Sequence, residues 1–343
     1  MTLQQEPELT LAIVGNAGGT NVGESLRRAA VSAGNPVLFF DAWEARGGSR
    51  VLRAFTWRFA DRKPPLLERV AAKVVSVCAK ARPRLLIATG AAPLTQEALL
   101  KLRALGVVCT NYSTDDPWNP AQIASWHLRA LPAYDIVFTP RRANIADLNR
   151  LGCASVHFLP FAYDHTLFTP AEVTAGTPEY DVLFVGGADR ERLAFMQVFM
   201  RAGLEPALVG DYWERYRATR PYALGHKPPP VLRDLTAAAK VNLCIVRRAN
   251  RDGHVMRSFE IAAIGGCMLV EDTEEHRAIL GDDGESVYYF RTPEQAAAIA
   301  RLLIDRPDER ARLAASVRDR MSRHAHTYSD RLRTMLDLTG VTN

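Results

Sequence analysis

The stretch Asp252-Gly253-His254-Val255-Met256-Arg257-Ser258-Phe259-Glu260-Ile261-Ala262-Ala263-Ile264-Gly265-Gly266-Cys267-Met268-Leu269-Val270-Glu271 decides how this chain folds. A polar loop leads into a helical stretch over 258–264, the Gly265-Gly266 pair stops it, and 268–271 reads as a buried strand. Helix, glycine stop and buried strand in that order form the repeating unit of a parallel sheet with crossover helices. Glu260 falls one turn inside the helix among apolar and small neighbours. A carboxylate at such a place needs a partner, because burying it bare is costly, and ribose hydroxyls are one such partner.

Outward from this stretch the same alternation continues in both directions. The second half predicts strands at 182–185, 207–209, 241–245, 268–271 and 287–290, with helices at 190–202, 231–239, 258–264, 274–280, 293–303 and 307–321. The first half predicts strands at 10–14, 37–40, 85–88, 107–110, 136–139 and 156–159, separated by helices at 22–33, 66–81, 94–105, 121–131 and 143–151. Between the two series, 159–180 carries three prolines and no period, which marks a linker. The expected organisation is therefore a Rossmann-like domain over 1–160, a linker over 161–180, a second Rossmann-like domain over 181–325, and a final helical segment over 326–343 packing back on the first domain. Ligands in open α/β sheets bind beyond the carboxyl ends of the strands, so the loops after strands are where the chemistry is expected.

At 343 residues the chain has material for two cores, and 48% hydrophobic against 24% charged residues is the balance of a globular protein. The longest apolar runs end well short of a membrane span, and the acidic stretch 6–8 is not the start of a signal peptide, so a cytoplasmic location is expected. Five widely spaced cysteines without a C-x-x-C pair argue against a zinc site or a disulfide framework and read as small core hydrophobes. The net charge of +5 suits an anionic small substrate or an acidic membrane surface better than nucleic acid.

Arg257-Ser258-Phe259-Glu260-Ile261-Ala262-Ala263-Ile264-Gly265-Gly266 resembles the R-x-F-E-x-x-A-x-G-G pattern of group-1 glycosyltransferases of the GT-B type, in particular their CgeB-like, spore-maturation branch. The resemblance extends from 159 to 338. It takes in Leu159-Pro160-Phe161-Ala162-Tyr163-Asp164 with Phe168, and His326-Thr327-Tyr328-Ser329-Asp330-Arg331 at the opening of the last helix. It implies a GT-B architecture, two Rossmann-like doubly wound domains facing a central cleft, with a nucleotide-sugar donor on the second domain and an acceptor on the first. In the retaining members two glutamates stand eight positions apart, the second on the nucleotide ribose. Glu260 matches the second, and Asp252 replaces the first by a shorter carboxylate. Glu271-Asp272-Thr273 corresponds to the turn whose backbone meets the donor phosphates.

A departing nucleotide diphosphate needs positive charge. The sequence contains no D-x-D metal motif, so arginines are expected to supply it, from Arg190, Arg192, Arg247, Arg248 and above all Arg257. Gly186-Gly187-Ala188-Asp189 leaves a strand and enters a helix, which suits either a phosphate or a plain tight turn. Gly15, Gly18, Gly19 and Thr20 follow the first strand without G-x-G-x-x-G spacing. They read equally as a loop touching donor phosphate or acceptor and as an ordinary turn. Asp115-Asp116 beside Pro117-Trp118 suits acceptor recognition or activation, or a helix N-cap. Residues 50–63 mix five basic residues with Val51, Leu52, Phe55, Trp57 and Phe59, and either lie on an acidic membrane or pack under a loop.

The expectation is a metal-independent, retaining glycosyltransferase without a cofactor, acting on a glycan, lipid-linked or small-molecule acceptor. The alternatives are a sugar-nucleotide epimerase or hydrolase on the same fold and a non-catalytic CgeB-like assembly protein.

Overall fold

The computed structural model describes residues 9–170, 174–177 and 179–341. The chain divides into two compact units: Met1–Pro160 with Arg248–Asp252 and Tyr328–Asn343, and Phe161–Arg247 with Gly253–Thr327.

In the first unit the order is β1 (Leu11–Gly15), α1 (Val22–Ser32), β2 (Val37–Asp41), α2 (Arg50–Phe59), α3 (Leu67–Ala81), β3 (Leu85–Thr89), α4 (Gln96–Ala104), β4 (Val108–Tyr112), α5 (Ser125–Ala130), β5 (Ile136–Thr139), α6 (Arg142–Leu151) and β6 (Val156–Phe158). The strands form one parallel sheet in the order β2-β1-β3-β4-β5-β6. β1 is buried along its whole length, as a central parallel strand must be, and pairs Leu11 with both Val37 and Leu85. The sheet order turns back between β1 and β3, which makes the loops after these strands the topological switch point.

The second unit runs β7 (Val182–Val185), α7 (Arg190–Arg201), β8 (Pro206–Val209), β9 (Ala223–Gly225), α8 (Pro229–Ala238), β10 (Val241–Cys244), α9 (Met256–Ile264), β11 (Met268–Glu271), α10 (Glu274–Leu280), β12 (Tyr288–Phe290), α11 (Pro293–Ile304) and α12 (Pro307–Arg323). Its parallel sheet has the order β12-β11-β10-β7-β8-β9, so its switch point lies between β7 and β10. The chain is thus an α/β protein of two doubly wound units. The closing helix α13 (Tyr328–Thr339) returns to the first unit and packs on α1.

Where the elements differ from the sequence expectation, the reason is local. The helix expected from 121 starts only at Ser125, because Asn119 accepts from the Ala121 N–H (3.0 Å) and holds a turn. β9 went unread: it is three residues long, half-buried at the sheet edge, and follows a kink in the register beside Leu208 and Val209. Residues 161–164 of the expected linker pack within the second unit, where the Phe161 N–H donates to His254 Nε2 (3.0 Å); 171–173 and 178 lie outside the described residues. Conversely, 248–252, expected in the second domain, belong to the first unit. Among the described residues no helix is long and apolar enough to cross a membrane. All five cysteines are free and buried, and burial pushes their thiols up, Cys78 and Cys153 to about 11 and the other three to about 12.

Candidate donor site

The loop after β10 leads into α9 at the switch point of the second sheet, and α9 presents Arg257 and Glu260 one turn apart. The helix can start here because Ser258 Oγ accepts from the Val255 N–H (3.1 Å), and it can stop because Gly265 takes a left-handed φ of 85°. At Gly266 a Cβ would meet Asn242 Nδ2 at 2.7 Å, so the glycine pair both ends α9 and admits β10 beside it. Ser258 is fixed from below: His276 Nε2 lies 2.8 Å from its Oγ, while His276 Nδ1 donates to the Glu271 carbonyl (2.7 Å). Burial holds His276 down to about 4, so the imidazole is neutral with its proton on Nδ1.

Glu260 is 2% exposed. Burial pushes its carboxyl above the ordinary value, and the Arg257 guanidinium, hydrogen-bonded to Glu260 Oε2, pulls the other way; the carboxylate of Asp164 adds to the upward push. Arg257 and Glu260, expected on diphosphate and ribose, therefore meet each other within one helical turn. Asp164 is a member of this site that sequence reasoning missed. In the sequence it stands within the apolar segment 159–164 with no signal of its own, and its approach to Glu260 depends on the fold.

The remaining donor-side residues are held by the protein itself. Glu271 accepts from the Val246 N–H (3.0 Å), tying the ends of β10 and β11 together. Asp272 is bonded to Arg277 (2.6 Å) and Arg291 (2.9 Å), which keep its carboxyl below the ordinary value. Thr273 caps α10, accepting from the His276 N–H and donating to the Gly253 carbonyl. After β7, Gly186 N–H goes to Val209 O (2.8 Å) and Ala188 N–H to Asp211 O (2.9 Å), so two of the loop's donors are spent on its neighbour. Trp213 Nε1 donates to Gly186 O (2.7 Å), and Gly187 stands 3.5 Å, by the Cβ it lacks, from Asp211 O. Asp189 caps α7, and Arg192 folds back over Phe184 (5.3 Å) to donate to Gly187 O (3.1 Å). Arg190 stays exposed on the first turn, and Arg247 is half-buried after β10.

In the first unit, Asp252 forms an ion pair with Arg141 (2.5 Å), both side chains being 4% exposed or less. Arg141 also donates to the Thr114 carbonyl (2.9 Å). Asp116 is buried and accepts from Arg251 twice (2.5 and 2.9 Å), from Asn144 Nδ2 (2.8 Å) and from the Trp118 N–H (3.0 Å). Asp115 is exposed and accepts from Asn250 Nδ2 (3.3 Å). The expected cleft residues 15–20 also find partners at home. Asp41 accepts from Ala17 N–H (3.2 Å), and Glu24 takes the Gly18 N–H as well as Arg27 and Arg28, which hold its carboxyl low. Gly15 is obligatory, since a Cβ there would lie 2.5 Å from Thr89 Oγ1 and 2.9 Å from Gly23 Cα. Gly18 and Gly19 turn through positive φ (72° and 55°), and Thr20 is half-buried beside them. Two carboxylates already sit on the amides a phosphate would use, and Glu24 was not singled out from the sequence.

Residues 190–337 match the family model described as "Glycosyl transferase-like". A comparison with curated proteins gives no match. Among solved structures, a sucrose-phosphate synthase from Thermosynechococcus elongatus is similar with a TM-score of 0.68 at 16% identity, covering 97% of this chain and 98% of that one. HepE of Anabaena in complex with UDP and glucose gives 0.63 at 13%, covering 98% and 100%. A trehalose-6-phosphate synthase, studied with bisubstrate glycomimetics for glycosyl transfer with retention, gives 0.63 at 14%, covering 98% and 100%. Two parallel six-stranded units matched over nearly their whole length give the chain the GT-B fold, and its residues 190–337 are similar to a glycosyl transferase-like domain.

Proposed function

We propose that the protein transfers a sugar from a nucleotide-sugar donor, of the uridine diphosphate kind, to an acceptor hydroxyl, with the donor held by the second unit. The observation that carries this is Glu260: a buried carboxyl raised by desolvation and met, among the described residues, by Arg257 as its arginine partner, on the helix that opens at the switch point of the domain matched by the family model. A ribose diol approaching α9 donates hydrogen bonds to Glu260 and offsets its lost hydration. The neighbours solved with UDP and glucose support the choice of nucleotide.

Transfer is read as retaining and independent of metal. The bond between the anomeric carbon and the diphosphate oxygen breaks with its electron pair on the oxygen, the acceptor oxygen bonds to the same face, and its proton passes to the departing phosphate. Arg257, with Arg190 and Arg247 beside the same switch point, supplies positive charge to the leaving group. The retaining trehalose-6-phosphate synthase among the neighbours supports this stereochemistry. Asp252 holds the Arg141 guanidinium in the first unit. The acceptor is a glycan, a lipid-linked sugar or a small molecule.

Isothermal calorimetry with uridine, guanosine, adenosine and thymidine diphosphates tests the reading. UDP binding in the micromolar range is expected, weakened roughly ten- to a hundredfold by Glu260→Gln, the scale of a charge-assisted bond of about 1.5–3 kcal/mol. Equal affinity in both proteins removes Glu260 from the donor site, and transfer that stops with chelator and returns with Mn²⁺ removes the metal-independent mechanism.

A further inference from the structure

Eleven large hydrophobic residues are exposed among the described residues, and five of them, Trp43, Val51, Phe55, Trp57 and Phe59, fall within a span of seventeen positions on and just before α2. Val51 is 78% and Phe59 73% exposed. Val51, Phe55 and Phe59 recur every four residues and so share one face of the helix. The Phe55 and Phe59 rings are 5.3 Å apart, so that face is a continuous apolar ridge.

No described side chain of α2 is buried. A ten-residue helix is marginal in water on propensity alone and normally owes its stability to an apolar face packed on something. Here the anchorage is at its foot: Arg62 donates to Ile123 O (2.5 Å) and Pro120 O (3.1 Å), and Asp61 accepts from the Ser125 N–H (2.6 Å). These bonds fix where the chain leaves the helix, and the described side chains along α2 are half-buried or exposed.

The charge pattern selects the partner. Residues 50–60 hold Arg50, Arg53 and Arg58 and no acidic residue. Arg50 and Arg58 are exposed. Arg46 stacks on exposed Trp43 at 4.7 Å. Phenylalanine and tryptophan flanked by arginine suit the boundary between headgroups and acyl chains, where the rings are buried and the guanidinium groups reach anionic phosphates.

We propose that α2 docks the first unit on an anionic lipid surface, with Val51, Phe55 and Phe59 entering the bilayer interface and Arg50 and Arg58 on lipid phosphates. The proposal stands apart from the donor site, since α2 belongs to the other unit.

Co-sedimentation with vesicles of phosphatidylcholine alone, and of phosphatidylcholine with about one third phosphatidylglycerol, tests it. Binding to the anionic vesicles is expected, weakened by salt and reduced at least ~tenfold by Phe55→Ser with Phe59→Ser and by Arg50→Glu with Arg58→Glu. Both variants change exposed residues, and their UDP affinity should equal that of the unaltered chain. On the unaltered chain, brominated lipid should quench a part of the tryptophan fluorescence that Trp57→Phe removes. Absence of vesicle binding, or binding undiminished by both variants, overturns the proposal. So does a dimer that Phe55→Ser with Phe59→Ser dissociates in the absence of lipid binding, which would give the ridge to a second copy.

Discussion

Asp116 in the first unit and Glu260 in the second are both buried carboxylates paired with an arginine, yet they are differently supplied. Asp116 accepts from two nitrogens of Arg251, from Asn144 and from a backbone N–H. Glu260 has Arg257 as its single hydrogen-bond partner among the described residues, with the Asp164 carboxylate pushing against it. A carboxylate whose lone pairs are filled is a structural joint, and another donor gains little there. A carboxylate buried with one partner has hydrogen-bonding capacity left for a ligand. Burial alone does not separate the two; the number of donors does.

The sharpest way to break this comparison is at Asp252, which belongs with Asp116 as a joint. Asp252→Ala leaves the Arg141 guanidinium buried without its carboxylate and should cost about 3–5 kcal/mol in urea unfolding. Unchanged stability together with a collapse of kcat would return Asp252 to the chemistry.

Acidification probes what the two units share. His127 in the first and His276 in the second are fully buried, and desolvation lowers each from its ordinary value to about 4. Between pH ~6.5 and ~4 the unfolded chain binds these protons and the folded chain does not. Stability therefore falls as pH falls through that window, by up to about 3 kcal/mol per histidine at its lower end. Glu260 works the other way, since its folded value lies above its unfolded one and protonation in the acid range relieves its burial. A denaturation midpoint that does not move between pH 7 and ~4.5 would contradict the histidine assignment.

The smallest effects come from splitting the acidic pair. Asp116→Asn should lose about 1–3 kcal/mol of stability, because an amide cannot accept from all of the donors that Arg251 and the Trp118 N–H present. Asp115→Asn, at an exposed position, should change stability by less than ~0.5 kcal/mol and act, if the acceptor lies there, on acceptor KM. If unfolding shows the two variants equally destabilised, counting donors is the wrong criterion.

The strands and most helices were legible because each is a short apolar run or a periodic stretch closed by its own signals. Thr292 and Thr273 cap α11 and α10, and Gly265 ends α9. Glu260 was legible for the same reason, since its helix and its neighbours are contiguous in sequence. Asp252 was read toward the donor on spacing from Glu260, but its partner Arg141 lies 111 positions away and nothing local announces it. The arginines after β7 and β10 share one composition and differ in fate: Arg192 folds onto Phe184, whereas Arg190 points its charge outward from an exposed turn. Fate of that kind depends on tertiary packing, which periodicity does not encode.

The return of α13 to α1 has a consequence for how the chain is made. Arg331 of that helix donates to the Pro160 carbonyl (2.7 Å), and Arg251, from a second distant stretch, fills Asp116. On the ribosome the first sheet emerges long before either piece exists. The nascent first unit lacks two of its pieces until residues 248–252 and 328–339 have been synthesised, while the second unit emerges between residue 160 and residue 328.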